Sequence, residues 1–222
     1  MVMNMLDPNS NRMVIEFTSL GIAGIFRPLV GRVQSNIMKI LVGILALGVA
    51  TGSFGAEPAI DNDRVTAWDT TEALPPAQHD FVAVSLSKLG SAHFGHKGDK
   101  PGKAGERMVI VELKDHAEAP IANSSGLPLA FPRPHVKKLI ENDKVVVWDY
   151  TWHPNEPSPM HFHDKDTLVV YEATGALQST TPDGKVTVND NKFGDIRFNR
   201  RDRSHTELLV RGEGHAVITE LK

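Results

Sequence analysis

The sequence predicts an all-β protein built as an antiparallel sandwich or barrel. Residues 145–221 fall into β-branched and aromatic runs of four to eight residues separated by tight turns. Fourteen prolines and eighteen glycines punctuate a chain of 222 residues, a turn-rich composition. No stretch of the region read as folded carries a convincing amphipathic helical period.

Taken in order, Val145–Trp152 is a β-branched and aromatic strand, and His153–Pro159, with three prolines, is a loop. Met160–His163 resumes extended structure. Thr167–Ala173 is a strand that ends near Thr174-Gly175. Leu177–Thr180 and Lys185–Val188 flank Thr181-Pro182-Asp183-Gly184, a hairpin turn signal. Asp195–Phe198, His205–Val210 and His215–Leu221 complete the set.

The chain also repeats itself. Asn62-Asp63-Arg64-Val65-Thr66-Ala67-Trp68-Asp69-Thr70-Thr71 matches Asn142-Asp143-Lys144-Val145-Val146-Val147-Trp148-Asp149-Tyr150-Thr151 at six of ten positions. The ending Val109–Lys114 likewise matches Val217–Lys222. Matching beginnings and endings in the same order imply a duplicated supersecondary unit. The first copy is shorter, and the gap is assigned to the place where the second carries His161-Phe162-His163. The first copy therefore reads as a truncated, metal-free relative, and one metal site per chain is expected. His79, His93 and His96 do not reproduce the spacing and read as loop or surface histidines. Residues 57–115 form the degenerate half, 116–141 a Pro-rich linker and 142–222 the complete barrel. Within the linker, Val136–Ile140 reads as a helical turn or a short strand.

Upstream, Met38-Lys39 precedes the apolar run Ile40–Ala50, then small residues and Glu57-Pro58. These are the three regions of a secretory signal, so 38–56 reads as a signal peptide cleaved after Gly55 or Ala56. The apolar run is shorter than the roughly twenty residues that span a bilayer. Residues 1–37 read as an upstream extension. The expected location is periplasmic or secreted, with no stable membrane insertion after cleavage. The chain has no cysteine, which excludes disulfides, thiolate nucleophiles and sulfur-ligated zinc. A formal charge of −3 without a concentrated Lys/Arg stripe gives no reason to expect a nucleic-acid partner.

Two histidines two residues apart on a strand point to one face. Neutral imidazole is the commonest metal-ligating side chain. His161 and His163, joined by His205 from a facing strand, make a facial set that leaves positions open for water, oxygen or substrate. Met160 and Phe162 alternate with them and are expected to pack outward or at an interface. Arg197, Arg200, Arg201 and Arg203 precede or flank His205. They read either as a solvated loop or as a source of one guanidinium that meets a substrate carboxylate.

Residues 142–222 resemble a cupin, and residues 62–114 do so weakly. In that family's first motif an HxH pair is followed by a Glu and then a Gly. His161 and His163 fall on the pair, Thr167 falls where Glu is expected, and Gly175 lies near the final Gly. In the second motif a Gly, a Pro and a Gly precede a His. Gly194 and His205 fit, while Arg200 and Asp202 replace the Pro and the second Gly. The resemblance implies a cupin-like antiparallel jelly-roll barrel, to which the shortened repeat adds strands. It implies a divalent metal (Fe, Mn, Ni or Zn) on His161, His163 and His205. With Thr167 at the Glu position, the set is three histidines with water, or Asp166 or Glu207 completes it. Asp166 and Glu207 are also the candidate catalytic groups, as general bases.

Three functions stay open. One is a metal-dependent dioxygenase, isomerase or lyase acting on a small, anionic molecule. The second is a non-catalytic cupin module that binds metal or a small ligand. The third is a structural jelly roll. The resemblance adds homodimerisation through sheet edges as a further expectation.

Overall fold

A computed structural model of the chain describes residues 57–222, and the extension read at 1–37 and the signal read at 38–56 lie outside them. The strands in chain order are β1 (Ile60–Asp61), β2 (Val65–Thr70), β3 (Phe81–Ser85), β4 (Ala92–Gly95), β5 (Met108–Leu113), β6 (Val136–Glu141) and β7 (Val145–Trp152). They continue as β8 (His161–His163), β9 (Thr167–Tyr171), β10 (Gly175–Thr180), β11 (Val186–Asn191), β12 (Ile196–Asn199), β13 (Arg203–Gly212) and β14 (Gly214–Leu221). The described residues contain no helix, so the all-β expectation holds.

The strands form three sheets with every ladder antiparallel. Their orders are β1-β2-β5-β3-β4, β12-β9-β14-β7-β6 and β11-β10-β13-β8. The second sheet lies in the middle and is buried on both faces. Its strands accordingly carry near-continuous apolar runs rather than a clean alternation. Val145, Val147, Leu168, Val170, Val217 and Leu221 face the first sheet, where they meet Val65, Val82, Val84, Val109 and Val111. The intervening Val146, Trp148, Tyr150, Trp152, Val169, Tyr171 and Ile218 face the third sheet and meet Leu177 and Leu209. The second and third sheets together make the jelly roll, and the first covers its back.

The repeat is structural as well as sequential. Val65 pairs with Leu113 and Trp68 with Ile110, as Val145 pairs with Leu221 and Trp148 with Ile218. Asn62 Oδ1 accepts from the Arg64 and Val65 amides, and Asn142 Oδ1 accepts from those of Lys144 and Val145. The first sheet thus reproduces the second strand for strand, with β3 and β4 standing for β9 and β12. Charges cross between the copies in the same way. Arg64 pairs with Asp166 at 2.8 Å, and Lys144, its counterpart, pairs with Asp80 at 2.9 Å. Both aspartates also accept a backbone N–H at equivalent places, from Arg201 and Lys97.

Two placements differ from the sequence reading. The largest gap in the first copy is not at the His161-Phe162-His163 segment. It lies between β3 and β4, where Leu86–Ser91 replaces a stretch that in the second copy includes the whole β10–β11 hairpin. The first copy lacks the entire third-sheet layer, and the histidine strand goes with it. Residues 116–141 are also partly sheet. Val136–Glu141 is β6, paired with β7, which is the short-strand alternative for Val136–Ile140. Upstream of it, Ala130 N donates to Phe162 O and Phe162 N donates to Pro128 O, both at 2.9 Å, so 128–130 lies along β8 as an extra edge.

Two motif glycines have plain reasons. A Cβ on Gly175 would come within 2.3 Å of Glu213 O, a backbone atom that cannot easily yield. Gly194 has φ +90°, in the left-handed region that favours glycine. Asp202, where the second motif expects a glycine, takes that left-handed conformation too, with φ 61°. Asp and Asn enter it more readily than other non-glycine residues.

Candidate metal centre

Strand β8 is short and pairs antiparallel with the start of β13. His161 lies opposite His205, and His163 lies opposite Arg203. Alternation then turns His161, His163, His205, Arg203 and Glu207 toward the barrel interior. The three imidazoles converge: His161 Nε2 is 3.1 Å from His163 Nε2, and His163 Nε2 is 3.4 Å from His205 Nε2. All three residues are buried, and one ligand nitrogen from each lies within 4.8 Å of the others.

Burial dominates their protonation. Desolvation first, then the Arg133 guanidinium, pushes His161 down to about 3. Desolvation, against Glu207 and with Arg203, brings His205 to about 4. His163 is driven down by burial and then by Arg203. All three are therefore neutral at pH 7 and retain a lone pair. His161 Nδ1 lies 2.8 Å from Pro159 O, so the proton sits on Nδ1 and donates there, leaving Nε2 as the free donor atom.

Charged groups surround the triad. Glu207 Oε2 accepts from Arg133 Nη2 at 3.0 Å and from Trp152 Nε1 at 3.1 Å. Its Oε1 is 3.7 Å from His205 Nε2. Burial alone would raise the Glu207 carboxyl, but the neighbouring Arg133, His205 and His161 outweigh it and hold it at about 2. Arg203 Nη2 donates to Thr167 Oγ1 at 3.0 Å, and Arg203 Nε donates to Arg200 O at 2.9 Å. The threonine at the expected Glu position thus serves as a hydrogen-bond partner for an arginine. A cavity of about 80 Å³ beside the histidines is lined by Tyr171, Arg197, Arg203 and Glu207 among others. A larger hollow of about 390 Å³, between Arg64, Lys114, Lys144 and Lys222, contains none of the three histidines.

The residues present fit a divalent ion. Three neutral nitrogens on one interior face, with His163 Nε2 3.1 Å from that of His161 and 3.4 Å from that of His205, match the edges of a coordination polyhedron with metal–nitrogen bonds of about 2.0–2.1 Å. Arg133 Nη1 lies 3.0 Å from His161 Nε2 and 3.3 Å from Nδ1. Near-equal distances to both nitrogens put it over the ring face, so the in-plane lone pair of Nε2 stays free. Arg203 approaches the outer nitrogens of His163 and His205 only at 3.4 Å and keeps its two oxygen acceptors.

Of the residues singled out from sequence, His161, His163, His205 and Glu207 come together here. Asp166 does not join them, and its assignment to the site is corrected. It is fully buried, bonded to Arg64 Nη1 and the Arg201 amide at 2.8 Å each, on the side where the two copies meet. Among the arginines, Arg203 and Arg197 line the cavity, while Arg200 pairs with Asp63 and Arg201 with Glu118. Asp63, Glu118 and His116 form a second cluster of liganding groups, but these arginines already occupy its carboxylates. His79 and His96 are surface residues of the first copy, and His93 is exposed on β4. Arg133 was invisible in the sequence. It sits between Pro132 and Pro134 in a stretch with no period, and only the docking of 128–130 along β8 brings it inward.

No protein-family model matches the sequence, and no curated protein matches it. Solved structures do resemble it. A cupin domain from Bordetella pertussis is 25% identical, with a TM-score of 0.37, over 42% of this chain and 99% of that one. Protein Ylba from E. coli is 9% identical, with a TM-score of 0.42, over 76% of this chain and 88% of the other. A cupin 2 conserved barrel domain protein from Leptotrichia buccalis is 12% identical, with a TM-score of 0.39, over 75% and 88%. The chain is thus similar in part to solved cupin-domain structures, and its own strand order, the histidine pair on β8 and the third histidine facing it from β13 are the features from which the site is read.

Proposed function

We propose that this chain is an exported, divalent-metal-binding cupin that takes a small anionic molecule at the metal. The convergence of three buried, neutral imidazoles from β8 and β13 carries the reading. His161, His163 and His205 hold the ion, which supplies Lewis acidity or oxygen activation when bound. Fe, Mn, Ni and Zn all suit a three-nitrogen set. The chain's own residues do the rest. Pro159 O fixes the His161 tautomer, Arg197 and Arg203 place positive charge at the cavity, and Tyr171, Trp152 and Phe131 wall it. Export rests on the composition of residues 38–56. N-terminal sequencing of the native product tests it, and a product that begins at Met1 would sink it.

One observation favours the non-catalytic reading over the dioxygenase, isomerase or lyase reading. Glu207, the remaining candidate base, has its Oε2 taken by Arg133 Nη2 at 3.0 Å and Trp152 Nε1 at 3.1 Å, hydrogen bonds that favour the carboxylate and oppose its taking up a proton. Two measurements decide. Added Mn(II) or Zn(II) should raise the Tm of the wild type by several degrees and leave His205→Ala unmoved; an equal rise in both removes the triad as the site. Oxygen uptake by the metal-loaded protein with a panel of small carboxylic and phenolic compounds then separates enzyme from binder.

A further inference from the structure

The site carries more positive charge than a metal-binding triad can easily tolerate, and one residue explains how it is managed. Arg133 is buried, with 5% of its side chain exposed. Its guanidinium lies 4.0 Å over the Tyr150 ring and 4.8 Å from the Phe131 ring centroid, so it cannot swing away without leaving this cage. Of its three nitrogens only Nη2 has a lone-pair acceptor, Glu207 Oε2 at 3.0 Å. Nε is buried and has no acceptor among the described residues. Nη1 rests against the His161 ring, 3.0 Å from the atom that would hold the metal. Burying unsatisfied donors is costly, and a charged donor costs more.

With a divalent ion on the histidines, Arg133, Arg203 and Arg197 bring three further positive charges to the cavity, against the single carboxylate of Glu207 among its lining residues. Repulsion at such distances inside a barrel is far stronger than in water. A second anion removes both problems at once. It offsets the excess charge, and its oxygen accepts the spare N–H of Arg133 beside His161. The cavity of about 80 Å³ limits that anion to a few non-hydrogen atoms.

We propose that Arg133 is the anion-selecting residue of this centre, and that it makes binding of the divalent metal and of a small carboxylate or similar oxyanion mutually dependent. The proposal rests on the metal reading above. Coupling of this kind is reciprocal: the factor by which the anion tightens the metal equals the factor by which the metal tightens the anion.

Co(II), followed by its visible absorption, is the metal probe and acetate the anion probe, both with the full-length wild type. Saturating acetate should tighten Co(II) binding at least tenfold in the wild type. In Arg133→Met, Co(II) should still bind, more tightly than in acetate-free wild type because a repelling charge is gone, and acetate should change its affinity less than twofold. Co(II) binding by the wild type without any acetate dependence overturns the proposal, as does an acetate effect of the same size in Arg133→Met. Should Arg133→Met not fold, Arg133→Lys serves: it keeps the charge but loses the planar fork, and acetate coupling at full wild-type strength there overturns the assignment. If the wild type binds no Co(II) with or without acetate, the metal reading itself has failed, which is a separate result.

Discussion

At His161 three constraints meet in one side chain. Strand alternation turns it inward, Pro159 O fixes its proton on Nδ1, and burial removes its charge. His205 and His163 follow the same logic with Arg203 behind them. Their depressed pKa values have a thermodynamic counterpart. In the unfolded chain these imidazoles titrate near 6.5, whereas folded His161 and His205 titrate at about 3 and about 4. Between those values the unfolded state holds more protons, so stability of the metal-free protein falls as pH drops from about 6.5 toward 4. The slope approaches about 1.4 kcal/mol per pH unit for each imidazole. Glu172 and Glu220, raised by burial, work in the opposite sense, so a difference is the clean test. Chelator-treated His161→Gln/His163→Gln/His205→Gln should lose less stability between pH 7 and pH 5 in urea titrations than chelator-treated wild type. Equal losses would show that the histidines are not buried neutral. The HxH pair and the third histidine were legible in the sequence because period-two alternation gives their facing directly. Arg133 was not, because nothing local marks a residue that reaches a site only through tertiary docking. Asp166 was misread for a related reason: it is close to the histidines in sequence, but its carboxylate lies on the opposite side of the strand connection, with Arg64.

At the level of elements, the most informative feature is that a strand's facing is decided by how many layers cover it. The runs in β7, β9 and β14 looked like ordinary jelly-roll strands, and their boundaries follow turn chemistry closely; Gly184, at φ +84°, closes the β10–β11 turn where the Pro-Asp-Gly signal placed it. Their lack of alternation was the signal that both faces are buried, one against the first copy and one against the third sheet. The matched ion pairs that join the copies differ in environment. Arg64 and Asp166 are 3% and 0% exposed, whereas Lys144 and Asp80 are 41% and 19% exposed. Removing one partner of a buried pair leaves an uncompensated charge and costs about 3–5 kcal/mol, while an exposed pair contributes about 0–1 kcal/mol. Arg64→Met should therefore lower unfolding free energy by about 3 kcal/mol or more in denaturant titrations, and Lys144→Met by about 1 kcal/mol or less. Similar costs for both would mean that Asp166 is not buried against the first copy.

Across the whole molecule, duplication and loss explain the architecture. One copy keeps both layers of the jelly roll and with them the histidine wall. The other keeps a single sheet, in the same strand order and register, and covers the back of the first. The repeat was readable because its ends carry the residues that set register, Asn62 and Asn142 at the turns and Trp68 and Trp148 in the strands. Which layer was lost was not readable. Strand deletion leaves only a length difference, and a length difference has no address in a sequence without the pairing. The two-copy arrangement predicts one metal site per chain, since the first copy has no counterpart of β8 and β13. Elemental analysis of purified wild type beside His161→Ala/His163→Ala tests this most directly. The account predicts close to one divalent ion per wild-type chain and essentially none in the variant. Wild type with no ion near stoichiometric level, or a variant that retains it, would contradict the account.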